Sequence, residues 1–361
     1  QGFRTTYSYI RYIDNICKSD SYLVSILKQK GAVPLIKSNV PQGYMAYDSW
    51  SEPFGRALNP LNKEFMVGGS SGGEAGLVAS QCSMVGIGSD LGGSIRIPAL
   101  FCGLYGFKPS SNRLSQMCNS SVSGRGSISV PYIEYSYGPI ARNIEDSITI
   151  CKELFGAFPI DNICDQRRFN TAILSNSECT DENKRKEKIT VGYYLENTSF
   201  VETPSCIKSQ ISKLVSRIKE GQNSSSTDNT KPYPELSSVY TFKEIDISSF
   251  LNDSNSLFYK GYELLVNSYC LDQIRDTLTL DGEEPLYFLS RFDRFNRTPN
   301  IVRSLINKAY SLIGEKRYSH YYGNCRTVSN TRAYITLINE VQSLKNKFLQ
   351  FLEQNEVDVL I

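Results

Sequence analysis

Two glycine-rich turns that each carry serine, 68 to 73 (GGSSGG) and 92 to 94 (GGS), flank a short helix pattern, Glu74 to Ser80, and a strand pattern, Met84 to Gly88. This arrangement constrains the chain more than any other feature, because paired glycines bring backbone N–H groups against a ligand without Cβ interference. Three readings meet there. A phosphate loop needs GxxxxGK[ST], and no lysine follows either turn, which sets that reading aside. Taken singly, either turn fits plain Gly-Ser packing inside a sheet. Taken together they also fit acyl transfer: the second turn opens an apolar helix at Ser94, and a hydroxyl beside consecutive N–H donors suits attack on a carbonyl whose developing oxyanion those donors receive.

The rest of the composition limits the chemistry available. The 361 residues are 40% hydrophobic and 21% charged, enough for a sizeable core and too apolar for a disordered chain. Basic and acidic residues number 39 and 37, so the net charge of +2 provides no field that would recruit nucleic acid, and no nucleic-acid partner is expected. There is one histidine, His320, in a tyrosine-rich stretch far from the glycine turns. A metal site built on several imidazoles is therefore impossible, and any Ser-His-Asp arrangement would have to run through His320. Its setting reads as a plain surface or packed histidine, which favours another base for proton transfer. The 10 cysteines are scattered without a CxxC pair, which fits reduced intracellular thiols better than a disulfide framework or a zinc site. No run of about 18 apolar residues could cross a bilayer.

Periodicity predicts a helix over Asp20 to Lys30 followed by a strand, Val33 to Ile36. A second helix is predicted after Asn143, with Glu145 and Asp146 in its first turn and a stripe of Ile144, Ile148, Cys151 and Phe155. Further on, strands at Ile189 to Leu195 and Val239 to Ile245 flank a helix over 204 to 220 with Ile207, Ile211, Leu214, Val215 and Ile218 on one face and Gly221 as its stop. That succession argues for an α/β sheet. Segments 178 to 188 and 221 to 234 read as polar surface insertions. Thr331 to Gln354 is the longest helix pattern, and the closing VDVLI reads as a buried strand.

The stretch GGSSGGEAGLVAS with GIGSDLGGSIRIPALFCGLYGFKPS resembles the amidase signature family. The resemblance also takes in GAVPLIKSNVPQ, MAYDSWSEPFGRALNP and YGPIARNIEDS, and within the family the wording is most similar to the fatty-acid amide hydrolases. It implies an α/β amidase-signature fold, a mixed central sheet covered by helices on both faces. On this reading residues 1–361 are one amidase domain truncated at both ends, with a signature core over 1–155 and a divergent part over 156–361. It also implies a hydrolase with a Ser-Ser-Lys triad and no metal or organic cofactor. Ser94 would be the acyl-enzyme nucleophile and Ser70 the bridging serine, with a cis Gly69–Ser70 bond. The N–H groups of Leu91, Gly92, Gly93 and Ser94 would form the oxyanion hole, and Tyr44 would line the substrate cleft. The triad lysine would lie a few residues upstream of Gln1, so the piece alone is expected to have little or no activity. Lys37 and Lys108 match other parts of the motif, where neither is the base, and Asp90 and Arg96 brace the nucleophile turn.

The substrate implied is a lipophilic amide, with lipid metabolism as the setting. Residues 299 to 318 pattern as a basic amphipathic helix, which fits peripheral contact with a membrane surface or, equally, a core-facing helix with solvated lysines. The compartment implied is intracellular, cytoplasmic or peripheral to an internal membrane. One alternative is the A subunit of the glutamyl-tRNA(Gln) amidotransferase, which Ile97 and the SEPFG wording disfavour. Another is a catalytically inert scaffold.

Overall fold

The computed structural model describes residues 1–111, 113–114, 135–155, 188–195, 203–223, 240–251, 257, 260–261, 263–264, 298–313 and 331–361. The chain divides into two compact units, one of residues 1–178 and 271–294, the other of residues 179–270 and 295–361.

In the first unit α1 (Tyr22–Gln29) starts at Ser21, whose hydroxyl accepts from the Val24 N–H. A two-stranded ribbon, β1 (Trp50–Ser51) and β2 (Gly55–Arg56), precedes α2 (Gly72–Ala79). Then come β3 (Val85–Asp90), α3 (Arg96–Phe101), β4 (Tyr105–Gly106), β5 (Ser136–Ala141) and α4 (Ile144–Leu154). The sheet runs β3-β5-β4, antiparallel throughout, with Val85 opposite Ala141 and Asp90 opposite Ser136. Two cores support it. Leu23, Ile26, Cys151, Leu154 and Phe155 join α1 to α4, while Val67, Ala75, Ile95, Ala99, Cys102 and Ile140 fill the space where α2, α3 and β5 meet. The second core lies directly beneath the serine turns, so apolar burial holds the frame on which they sit.

In the second unit β6 (Ile189–Tyr193), α5 (Ser205–Asn223) and β7 (Tyr240–Glu244) form a parallel βαβ unit, with Ile189 opposite Tyr240 and Tyr193 opposite Glu244. After α6 (Ser248–Leu251), α7 (Asn300–Leu312) and α8 (Thr331–Gln354), β8 (Val359–Leu360) adds in parallel on the other side of β6. Parallel and antiparallel pairing thus both occur, in an α/β fold.

Several local expectations are corrected. Val33 to Ile36 forms no strand: Pro34 has no N–H to give a ladder, and Val33, Leu35 and Ile36 stay exposed. VDVLI does pair as β8, yet Val359 and Ile361 are exposed, so the segment is a strand without being a buried one. On α4 the buried face is Ser147, Cys151 and Leu154, and Ile144, one turn too early to reach it, is exposed. On α5 only Val215 and Ile218 are fully buried, Ile207 and Leu214 face solvent, and the helix continues past Gly221 to Asn223. On α7 Arg303 is buried, while Ile301, Leu305 and Leu312 of the apolar pattern are exposed. His320, most of 178 to 188, and 224 to 234 lie outside the described residues.

Candidate active site

Ser94 lies in the turn between β3 and α3, half-buried, just after Gly93 with φ +120°. That φ lies in the region where a side chain is strained, which explains the glycine. The turn is built around Asp90, whose side chain is fully buried at the end of β3. Its Oδ1 accepts from the Gly93 N–H at 2.8 Å and from Arg96 Nη2 at 3.0 Å. Its Oδ2 accepts from the N–H groups of Ile95 and Arg96 and from Arg96 Nε. Burial alone would raise the Asp90 pKa. The Arg96 guanidinium and the two turn N–H groups outweigh burial and hold the carboxyl below its ordinary range.

Asp90 therefore occupies the Gly93 N–H, one of the four oxyanion donors expected from sequence. Among the described residues, no hydrogen bond takes the N–H of Leu91, Gly92 or Ser94. Those three remain open to a ligand at the turn.

Ser70 is buried in the other turn, and the Gly69–Ser70 peptide is cis. The two turns are joined by a backbone hydrogen bond from the Ser71 N–H to the Ser94 carbonyl, 3.1 Å. This backbone bond ties the Ser70 turn to the Ser94 turn, and no hydrogen bond joins the Ser70 and Ser94 side chains. Sequence reasoning did not find what holds the Ser70 turn, which is Ser49. Fully buried, its Oγ accepts from the Gly72 N–H at 2.9 Å and lies 3.0 and 3.2 Å from the carbonyls of Gly68 and Ser70, to which it donates. Next to it the Asn39 carbonyl accepts from the Gly73 N–H, and Asn39 Nδ2 reaches the carbonyls of Ser49 and Gly55. Glu74 was read only as a helix residue, and it packs inward to accept from Ser38 Oγ at 2.6 Å. Burial raises its pKa, with the Ser38 hydroxyl and the Ile87 N–H opposing. No motif marks Ser49 or Ser38, since a buried serine and an exposed one look alike in sequence.

The two lysines sit as structural groups. Lys37 Nζ donates to Thr5 Oγ1 at 2.5 Å, and burial lowers its pKa while nearby Cys17 raises it. Lys108 donates to the Pro109 carbonyl and to Ser136 Oγ. Among the described residues no lysine hydrogen-bonds Ser70. Tyr44 ends a short helical turn with φ +63° and meets the Tyr7 ring edge-on at 5.2 Å. Burial of its hydroxyl end pushes the phenol above the usual tyrosine range, with Tyr7, Tyr135 and Cys17 adding to the shift. Among the described residues no group of three His, Cys, Asp or Glu side chains is placed to hold a metal, and no helix is long and apolar enough to cross a membrane.

A serine-bearing turn of free N–H groups is thus tied by its backbone to a second serine turn on an α/β frame. A solved fatty acid amide hydrolase structure superposes over 100% of this chain and 53% of its own, with TM-score 0.67 and 22% identity. The family model described as Amidase matches residues 1–361, and the chain belongs to that family. Among curated relatives, the vitamin D3 hydroxylase-associated protein of Gallus gallus is 35% identical over 57% of this chain and 42% of its own length. Fatty-acid amide hydrolase 1 of Sus scrofa is 34% identical over 57% of this chain and 34% of its own. The chain thus matches less than half the length of these relatives.

Proposed function

We propose that the chain carries the nucleophile half of an amide hydrolase, in which Ser94 forms an acyl-enzyme and Ser70 relays its proton. The observation that carries this is the Ser71 to Ser94 backbone bond beside three unoccupied N–H donors. It supports a reading in which Ser94 attacks a carbonyl whose oxygen those N–H groups receive, as nucleophilic acyl transfer requires. The amidase-signature triad would be completed by a lysine, deprotonated at rest so that it can act as base.

The substrate class we propose is a lipophilic amide. The similarity to a fatty-acid amide hydrolase supports it, and so does α7, on which Ile301, Leu305 and Leu312 are 77%, 61% and 87% exposed. An apolar helix face open to solvent suits shallow contact with a lipid surface. Flotation with liposomes tests that part: Leu305→Glu and Leu312→Glu lower the bound fraction, and unchanged flotation refutes membrane contact.

The chemistry is tested by exposing the full-length protein to a fluorophosphonate. Labelling maps to Ser94 and is lost in Ser94→Ala, while Ser70→Ala slows it. Hydrolysis of a long-chain amide in preference to acetamide supports the lipophilic reading. Ammonia release from glutamine alone would assign the chain to the transamidase branch, and no labelling at all would assign it to a binding role.

A further inference from the structure

The segment 46–48 runs against the turn that carries Ser70. A Cβ placed on Gly69 would lie 2.7 Å from the Ala46 carbonyl oxygen, 2.8 Å from the Asp48 nitrogen and 2.9 Å from the Tyr47 carbonyl carbon. The backbone of Tyr47 is thereby seated on the first turn, and its side chain reaches the second. Its hydroxyl lies 3.5 Å from where a Cβ on Gly92 would stand, and Gly92 bears one of the three open N–H groups. The residue is 57% exposed, so the ring borders open space and not core. No described residue hydrogen-bonds its hydroxyl. Meanwhile the Gly93 N–H, which would otherwise join the oxyanion hole, is held by Asp90.

We propose that Tyr47 is a catalytic residue whose hydroxyl donates to the amide carbonyl oxygen as it becomes an oxyanion, alongside the Gly92 N–H. The inference rests on Ser94 being the nucleophile. Ser94 Oγ bonds to the carbonyl carbon and the C=O π pair moves onto oxygen, where the Tyr47 O–H and the turn N–H groups hold it. The pair then returns as the C–N bond breaks. The proton lost by Ser94 reaches the departing amine by way of Ser70, and the Tyr47 proton stays on its own oxygen throughout. A phenol suits this work, since it is a stronger donor than a peptide N–H and fills the same role in another oxyanion hole. It also restores the donor that the Asp90 brace removes.

The test is steady-state hydrolysis of a decanoyl anilide by the full-length protein, with rates normalised to titrated sites. Tyr47→Phe is expected to lower kcat about 100-fold, the usual effect of deleting one oxyanion donor, with KM and the unfolding midpoint unchanged. Gly92→Ala places a methyl 3.5 Å from the hydroxyl and gives a second measurement. Its effect is expected to shrink in the Tyr47→Phe background, because the two changes disturb one interaction. A kcat for Tyr47→Phe within about twofold of the parent, or a rise in KM with kcat unchanged, overturns the assignment while Ser94→Ala remains inactive. Turnover by Ser94→Ala overturns the nucleophile reading itself, a result separate from the first.

Discussion

Replacing Asp90 with asparagine separates what braces the Ser94 turn from what merely neutralises charge. Asp90 accepts five hydrogen bonds, from Gly93, Ile95 and three nitrogens of Arg96, and none of its side chain is exposed. An amide in its place keeps one oxygen and turns an NH2 toward the remaining donors. In either orientation a backbone N–H of the turn is left facing another donor, and each such buried orphan costs about 1–3 kcal/mol. The bonds that survive lose their ionic strengthening. Together these approach the ~3–5 kcal/mol typical of breaking a buried pair from one side. The Arg96 side chain is 55% exposed, so its share of the ion pair is screened to the ~0–1 kcal/mol of a surface bridge. Urea unfolding at neutral pH is therefore expected to show a loss of several kcal/mol for Asp90→Asn but about 1 kcal/mol or less for Arg96→Gln. On the proposed acyl-transfer reading, phosphonylation of folded Ser94 should slow by about 100-fold in Asp90→Asn, because the turn that carries Gly92 and Ser94 loses its brace. Equal losses in the two variants, or an Asp90→Asn protein that unfolds and reacts like the parent, would show that the carboxylate does not shape the turn. The same carboxyl titrates below its ordinary value of 3.8, so its contribution is present above that pH and is lost as acid carries the solution below it.

Ser49→Ala leaves the Gly72 N–H and the carbonyls of Gly68 and Ser70 without their shared partner; about 1–3 kcal/mol of stability is expected to go, measured by denaturant midpoint, and Ser49→Thr should recover part of it. Glycine replacements are expected to differ in sign. Gly76→Ala, with only Val67 within reach at 3.8 Å, should stabilise α2 by about 0.5–1 kcal/mol, whereas a Cβ on Gly138 would run into the Phe107 carbonyl and should cost about 3 kcal/mol or more in the same assay. Burial raises the thiols of Cys102 to about 11 and Cys151 to about 12, so iodoacetamide at pH 8 should modify exposed Cys82 and Cys206 and spare these two until the protein is unfolded. The stability they contribute is complete below their ordinary pKa of about 9 and falls as the pH rises from there toward their folded values, which a thermal series from pH 8 to 11 would follow.

The serine turns were legible in sequence because glycine spacing reports backbone geometry directly, and the same holds for the Asn143 cap, whose side chain accepts from the Asp146 N–H as its position requires. The βαβ unit of the second half was legible too, since its strand and helix periods differ. Burial was less legible. Periodicity gives a face but not its partner, so Ile144, Ile207 and Leu305 were placed on apolar stripes that the fold leaves wet. Polar groups posed the opposite problem. Ser49, Ser38 and Glu74 earn their places through contacts 19 to 36 residues away in the chain, and local sequence carries no trace of such contacts.

The bond from the Ser71 N–H to the Ser94 carbonyl has a consequence for assembly. It closes a loop made of α2, β3 and the Ser94 turn, whose entropic cost grows only slowly with length. The spacing of the two serine turns is thus set partly within that stretch, with Ser49 and Asn39 bracing it from outside. Loops that touch neither Ser49, Asn39 nor the two turns can change without resetting that spacing.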